Sequence, residues 1–255
     1  NKLLIKILEH IELMMYKNAA LIVGISDPFV DFISSKGVEQ EKIKIIKNGV
    51  NLELFQPREI NVELKNSLAL NEKFIVSYFG TFGLSQGLET ILKAAEILKD
   101  KSNIHLLLLG NGADRGKLLD LKNELKLDNV TILEPISKEE LVDYYSISDL
   151  MLVPLRKLRL FNSALPSKMF EIMAMGKPII HTVDGEARKL LEKENVGKYV
   201  EAENYKELAD TIIDVRNDHE WQSEASKNGR RLVEEKFNRN DLANEYLKLL
   251  VKTIK

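Results

Sequence analysis

"FIVSYFGTFGLSQGLETILKAAEIL", residues 74–98, holds the plan of the fold in 25 positions. Its opening run is apolar without polar alternation, the pattern of a strand covered on both faces. Gly80, Gly83 and Gly87 then punctuate a turn. Beyond it Leu88, Ile91, Leu92, Ala95 and Leu98 recur at helical spacing. The stretch therefore reads as buried strand, glycine turn and amphipathic helix.

Outward from this unit the same rhythm returns. "ALIVGI" (20–25), "KIKII" (42–46), "IHLLLLG" (104–110), "VTIL" (130–133), "DLMLVP" (149–154), "KPIIHT" (177–182) and "KYV" (198–200) are short aliphatic runs separated by longer segments. Strand and helix in alternation predict an α/β fold built on a Rossmann-like, doubly wound parallel sheet. "IKNGVNLELFQPREI" (46–60) breaks the rhythm with an Asn-Gly turn and a proline. The expected organisation is an N-terminal piece over 1–50, a linker over 51–70, a Rossmann-like domain over 71–238 and a C-terminal helix over 239–255 that packs back toward the N-terminal piece.

Composition narrows the function. The chain has 255 residues, and 37 basic against 39 acidic residues leave a net charge of −2. That balance provides no broad positive field for nucleic acid. The absence of cysteine excludes disulfides and thiolate chemistry. His10, His105, His181 and His219 are scattered without metal-ligand spacing, so no metal site is expected. No apolar run reaches the length of a membrane span. "NKLLIKILEHIELMMYKN" (1–18) reads as an amphipathic helix whose polar face mixes both signs of charge, which favours core or interface packing over a membrane surface.

Ligands of open parallel sheets bind beyond the carboxyl ends of the strands. Three such ends draw notice. Gly80, Gly83 and Gly87 fit an anion-binding turn and a plain strand-to-helix turn alike. Gly110 and Gly112 in "LLLLGNGADRGKL" (106–118) form a turn that needs no ligand to explain it. The third is "FNSALPSKMFEIMAMG" (161–176), where Pro166 suits the first helical turn, Ser167 suits the cap and Gly176 the C-terminal end. A lysine at a helix start opposes the macrodipole by about 0.3–1 kcal/mol. Lys168 stands there nevertheless, and an anion between it and the helix N–H groups would reconcile the two. Glu171, three positions on, emerges among Met169, Phe170, Ile172 and Met173. The pair fits a surface ion pair; it also fits a cation for a diphosphate beside a carboxylate for a ribose diol.

"KNGVNLELFQP" (47–57), "YFGTFGLSQGLETILKAAEIL" (78–98), "HLLLLGNGADRGKL" (105–118), "VTILEPISKEELVDYYSISDLMLVP" (130–154) and "LPSKMFEIMAMGKPII" (165–180) occur in the order and spacing of the C-terminal half of group 1, or family 4, glycosyltransferases. The resemblance covers roughly residues 15–250. Within the family the chain is most similar to the branch that includes bacterial fucosamine-type transferases of surface-polysaccharide synthesis. It implies the GT-B fold, with this chain as the donor-binding C-terminal domain plus a remnant of the N-terminal one. It also implies a retaining transferase that takes a nucleotide sugar, usually a UDP-sugar, needs no bound metal for its chemistry, and acts on a glycan or lipid-linked acceptor. The expected setting is the cytoplasm, at the inner face of the membrane, with peripheral membrane contact through the missing N-terminal domain.

By the same resemblance Glu171 matches the second glutamate of the family's E-x7-E motif, which holds the ribose. Lys168 and the backbone of Leu165, Pro166 and Ser167, with Ala164 before them, face the diphosphate, and Pro135 and Ile136 lie along the base. Gly80, Thr81, Gly83, Gln86 and Gly110 complete the donor set. Two positions depart from the family. Ser163 stands where the first motif glutamate is usual, and Thr81 and Gln86 stand near the usual arginine and lysine, which leaves Lys168, with Arg156, to neutralise the diphosphate. Two other classes fit the architecture: a sugar-nucleotide epimerase, which would require its own carboxylate and histidine set, and a non-catalytic nucleotide-binding fragment, which turnover by a longer gene product would exclude.

Overall fold

The computed structural model describes residues 2–158 and 165–254, which form two compact units. The larger, Val50–Lys236, is built on a six-stranded sheet. Its strands are β3 (Phe74–Phe79), β4 (Ile104–Leu109), β5 (Val130–Leu133), β6 (Leu150–Val153), β7 (Ile179–His181) and β8 (Gly197–Tyr199), in the order β5-β4-β3-β6-β7-β8. Every pairing is parallel. The α/β reading of the sequence is thus the observed architecture.

Strand order reverses between β3 and β6. The chain builds outward from β3 through β4 to β5, then returns to β3's other side with β6. Such a reversal opens a crevice at the strands' carboxyl ends.

The connecting helices are α3 (Val62–Ser67), α4 (Glu89–Ile97), α5 (Arg115–Glu124), α6 (Lys138–Ile147), α7 (Ser167–Ala174), α8 (Glu186–Lys193), α9 (Tyr205–Asn217) and α10 (His219–Lys236). The stripe read from the sequence of α4 and its flanks is fully inside: Leu88, Ile91, Leu92, Ala95 and Leu98 join Val76, Tyr78, Leu106 and Leu108 of the sheet and Ile212 and Val215 of α9 in one cluster. On the sheet's other face, Phe79 meets Tyr145 of α6 edge-on at 5.0 Å. Burial on both faces explains why β3 and β4 lack polar alternation. The segment read as a linker over 51–70 carries α3, capped by the Asn61 side chain, which accepts from the Leu64 N–H.

The smaller unit comprises the described residues up to Gly49 and from Phe237 on. It holds α1 (Lys2–Asn18), β1 (Ile22–Gly24), α2 (Asp27–Ser35), β2 (Ile43–Ile45) and α11 (Arg239–Ile254). β1 and β2 pair in parallel, and Val30, Ile33, Val38 and Ile43 form a small core. Of the core or interface packing expected of the N-terminal helix, the described residues show no packing into a core. α1 buries none of its residues, and Leu3, Leu4, Ile7, Leu8, Met14 and Met15 remain exposed. A two-stranded sheet offers too little apolar surface to cover a helix of this length.

Candidate functional site

The carboxyl ends of β3, β4 and β5 and the start of α7 enclose a cavity of about 570 Å³. Its lining joins residues far apart in the chain: Gly80, Thr81 and Gln86 after β3, Gly110 after β4, Pro135 and Ile136 after β5, and Ser167, Lys168 and Glu171 on α7. These are nine of the residues singled out from the sequence. Leu165 and Pro166 lead into α7; Ser163 and Ala164 lie outside the described residues.

Close backbone approach shapes the floor. A Cβ on Gly110 would sit 1.8 Å from the Gly80 carbonyl oxygen, so no larger residue fits. The Tyr78 hydroxyl donates to the Thr81 carbonyl (2.7 Å), and the Phe82 N–H donates to the Asn111 carbonyl (2.8 Å). These contacts pin the first half of the loop that follows β3.

α7 begins differently from the sequence reading. Pro166 occupies the N-cap, and Ser167 is the first helical residue and caps nothing with its side chain. The proline's fixed φ starts the helix without a side-chain acceptor, and its carbonyl accepts from the Met169 N–H at 3.0 Å. Gly176, with φ of +64°, follows the C-cap as expected.

Glu171 is buried, and two lysines approach it. Lys168 Nζ stands 3.8 Å from Oε2 and Lys138 Nζ 3.9 Å from Oε1, while the Tyr145 hydroxyl donates to Oε2 at 3.4 Å. Burial and the neighbouring Glu171 raise the Tyr145 hydroxyl's pKa well above 10.0, so it stays a donor. Burial lowers the pKa of Lys168 below its ordinary 10.5, and Glu171 offsets this only in part. A lysine held below its ordinary value is short of negative partners, and a bound anion would supply them.

Lys138 was not singled out from the sequence, although the signal was there. Ser137 and Glu140 form a capping box, which makes Lys138 the first residue of α6 and a second cation at a helix start. The rule that flagged Lys168 applies to it unchanged. Asn111 and Tyr78, also in the lining, carried no such mark.

Arg156 departs from expectation. Its guanidinium pairs with Glu89 and Glu203 and its Nε donates to the Leu84 carbonyl at 2.7 Å. One positive charge held by two carboxylates has none left over for a diphosphate. Gly83 lies in the same loop but does not line the cavity. Among the described residues no group of three His, Cys, Asp or Glu side chains is arranged to hold a metal ion, and no helix is long and apolar enough to cross a membrane.

A parallel sheet with a cavity at its switch point is the architecture of open α/β proteins, which bind their ligands there. The family is specific: the model of glycosyl transferases group 1 matches residues 60–232, and the chain belongs to that family. It is 25% identical to the capsular polysaccharide biosynthesis glycosyltransferase CapM of Staphylococcus aureus over 85% of this chain and 57% of that protein. It is 29% identical to the putative colanic acid biosynthesis glycosyl transferase WcaI of Escherichia coli, over 66% of this chain and 41% of the other. Among solved structures, Anabaena HepE in complex with UDP and glucose superposes with a TM-score of 0.75 at 18% identity, over 93% of this chain and 64% of that one. The chain thus spans 41% to 64% of the length of these proteins.

Proposed function

We propose that this chain is the donor-binding part of a retaining glycosyltransferase of surface-polysaccharide synthesis, which takes a UDP-linked sugar and serves a glycan or lipid-linked acceptor at the cytoplasmic face of the membrane. The observation that carries the reading is the cavity at the switch point, where Lys168 and the start of α7 converge beside the buried Glu171. The relatives named for capsule and colanic acid synthesis, and the neighbour crystallised with UDP, support it. The branch of fucosamine-type transferases remains the nearest fit for the "LPSK" start of α7.

In this reading the ammonium of Lys168 and the first N–H groups of α7 receive the diphosphate. As the bond between the anomeric carbon and the β-phosphate oxygen breaks, negative charge grows on that oxygen, and the same donors stabilise it. Glu171, beside Lys168 and Lys138, accepts from both hydroxyls of the ribose, and Pro135 and Ile136 border the base. Charge neutralisation falls to these side chains and the helix, so no resident metal is part of the proposal. Ser163, in place of a motif glutamate, bears on the choice of sugar.

A thermal-shift panel tests the reading, since a ligand that binds only the folded state raises its stability. UDP and UDP-sugars should raise the melting temperature of the 255-residue chain, with GDP and ADP doing little. A preference for GDP or ADP would overturn the nucleotide assignment. We further expect little transfer by this chain alone, because it spans only part of its relatives; robust sugar transfer by it would exclude the donor-half reading.

A further inference from the structure

The loop between β3 and α4 is secured in two halves by different means. Its first half, Gly80–Phe82, is held from β4: the Gly80 N–H donates to the Leu109 carbonyl and the Phe82 N–H to Asn111, while the Phe82 carbonyl accepts from the Asp114 N–H. The outer half, residues 83–87, has one internal bond of its own, from the Gln86 N–H to the Gly83 carbonyl at 3.1 Å. Its end is tied to α4, where the Thr90 N–H donates to the Gly87 carbonyl at 3.0 Å, and its middle is held by Arg156, on the loop after β6. The Arg156 N–H donates to the Ser85 carbonyl at 2.8 Å and its Nε to the Leu84 carbonyl at 2.7 Å.

The same guanidinium pairs with Glu89, the first residue of α4, and with Glu203, just before α9. Its stem lies against Gly87, whose φ of +60° suits glycine and whose absent Cβ would be 3.2 Å from Arg156 Cγ. Arg156 is anchored from behind as well. The Leu155 N–H donates to the Thr182 hydroxyl, which donates in turn to the Leu155 carbonyl, both at 2.7 Å.

We propose that Arg156 is a positioning residue: by holding the Leu84 and Ser85 carbonyls together with the Glu89 and Glu203 carboxylates, it fixes the outer half of the glycine loop so that Gln86 faces the donor diphosphate. The inference rests on the donor-binding reading of the cavity. It assigns Arg156 a role through geometry and none through its charge, which the two carboxylates already neutralise. A lysine cannot replace it, because one ammonium lacks the planar fork that reaches several acceptors at once.

Charge and geometry predict opposite signs in one experiment. In a Glu89→Gln/Glu203→Gln double variant, two negative charges beside the site are gone, so a pure charge effect would tighten UDP binding. Loss of the clamp would weaken it. Calorimetry with UDP on the 255-residue chain should show about tenfold weaker binding for Arg156→Met, as expected for losing charge-assisted hydrogen bonds, and a loss in the same direction for the double variant. Hydrogen exchange without ligand should quicken in peptides covering residues 80–88 and stay unchanged in β4 and α9.

Unchanged or tighter UDP binding by the double variant would overturn the inference, as would exchange in 80–88 that matches the parent chain. If the parent chain itself binds no UDP while Arg156→Met still loosens the loop, the donor-binding reading fails and this role for Arg156 fails with it, although the clamp stands. Should Arg156→Met not fold, the glutamine variants, which keep the arginine, give the same two readouts.

Discussion

α1 and α4 look alike in sequence, each an apolar stripe on a polar helix, and they meet opposite fates. Leu92 of α4 is 0% exposed, in a cluster fed by strands β3 to β7 and by α5 and α9; Leu8 of α1 is 56% exposed. The difference lies in the sheet each helix has to cover. The sheet beside α4 has six parallel strands, and that of α1's unit has two. Amphipathicity states that a helix wants a partner; the extent of the neighbouring sheet decides whether it finds one.

The largest expected effect tests the buried side of that contrast. Leu92→Ala should cost about 2–5 kcal/mol of unfolding free energy by urea titration, because the close-packed site collapses only in part. A loss below 1 kcal/mol would show that α4 is not gripped as described.

Next comes acid. Burial holds the His181 imidazole at about 4, below its ordinary 6.5, and burial does the same to His105. The folded state resists a proton that the unfolded chain accepts. Stability is therefore complete above pH 6.5 and falls as pH drops toward 4, by up to about 3 kcal/mol for His181. His181→Gln should flatten urea midpoints across that window, and a slope equal to the parent's would remove His181 as its source.

Lys168→Ala should weaken UDP binding by at least about 1.5 kcal/mol, as for a charge-assisted hydrogen bond. Unchanged affinity by calorimetry would remove Lys168 from the site. In the parent chain, UDP affinity should fall as pH rises, starting below the 10.5 of an ordinary lysine, since burial has lowered the ammonium's pKa. The smallest effect belongs to α1: Leu8→Ala should change stability by no more than about 0.5 kcal/mol, and a loss as large as that of Leu92→Ala would erase the distinction between the helices.

Much of the site was legible because its parts obey local rules. Gly80 and Gly110 end buried strands, and Lys168 stands against a helix dipole, each a mark visible within a few residues. Lys138 obeys the same dipole rule, hidden behind a capping box that the sequence spells as Ser-Lys-Glu-Glu (137–140). Arg156 was read as a helper of Lys168 at the diphosphate with no sign of its pairing, because its partners Glu89 and Glu203 lie 67 and 47 residues away, and no local pattern reveals a pairing at that range.

Taken by itself, the chain's order of residues determined the alternation of strand and helix, the parallel sheet and the turn at each strand end. Hydrophobic period and backbone freedom are properties of neighbours in sequence, so they can be read there. Tertiary structure alone decided that β3 and β6 flank the switch point, that two lysines from separate helices meet one carboxylate, that Arg156 is consumed by a clamp, and that α1 stays bare. Each of those depends on distances between segments far apart in the chain, and those distances exist only once the sheet has formed.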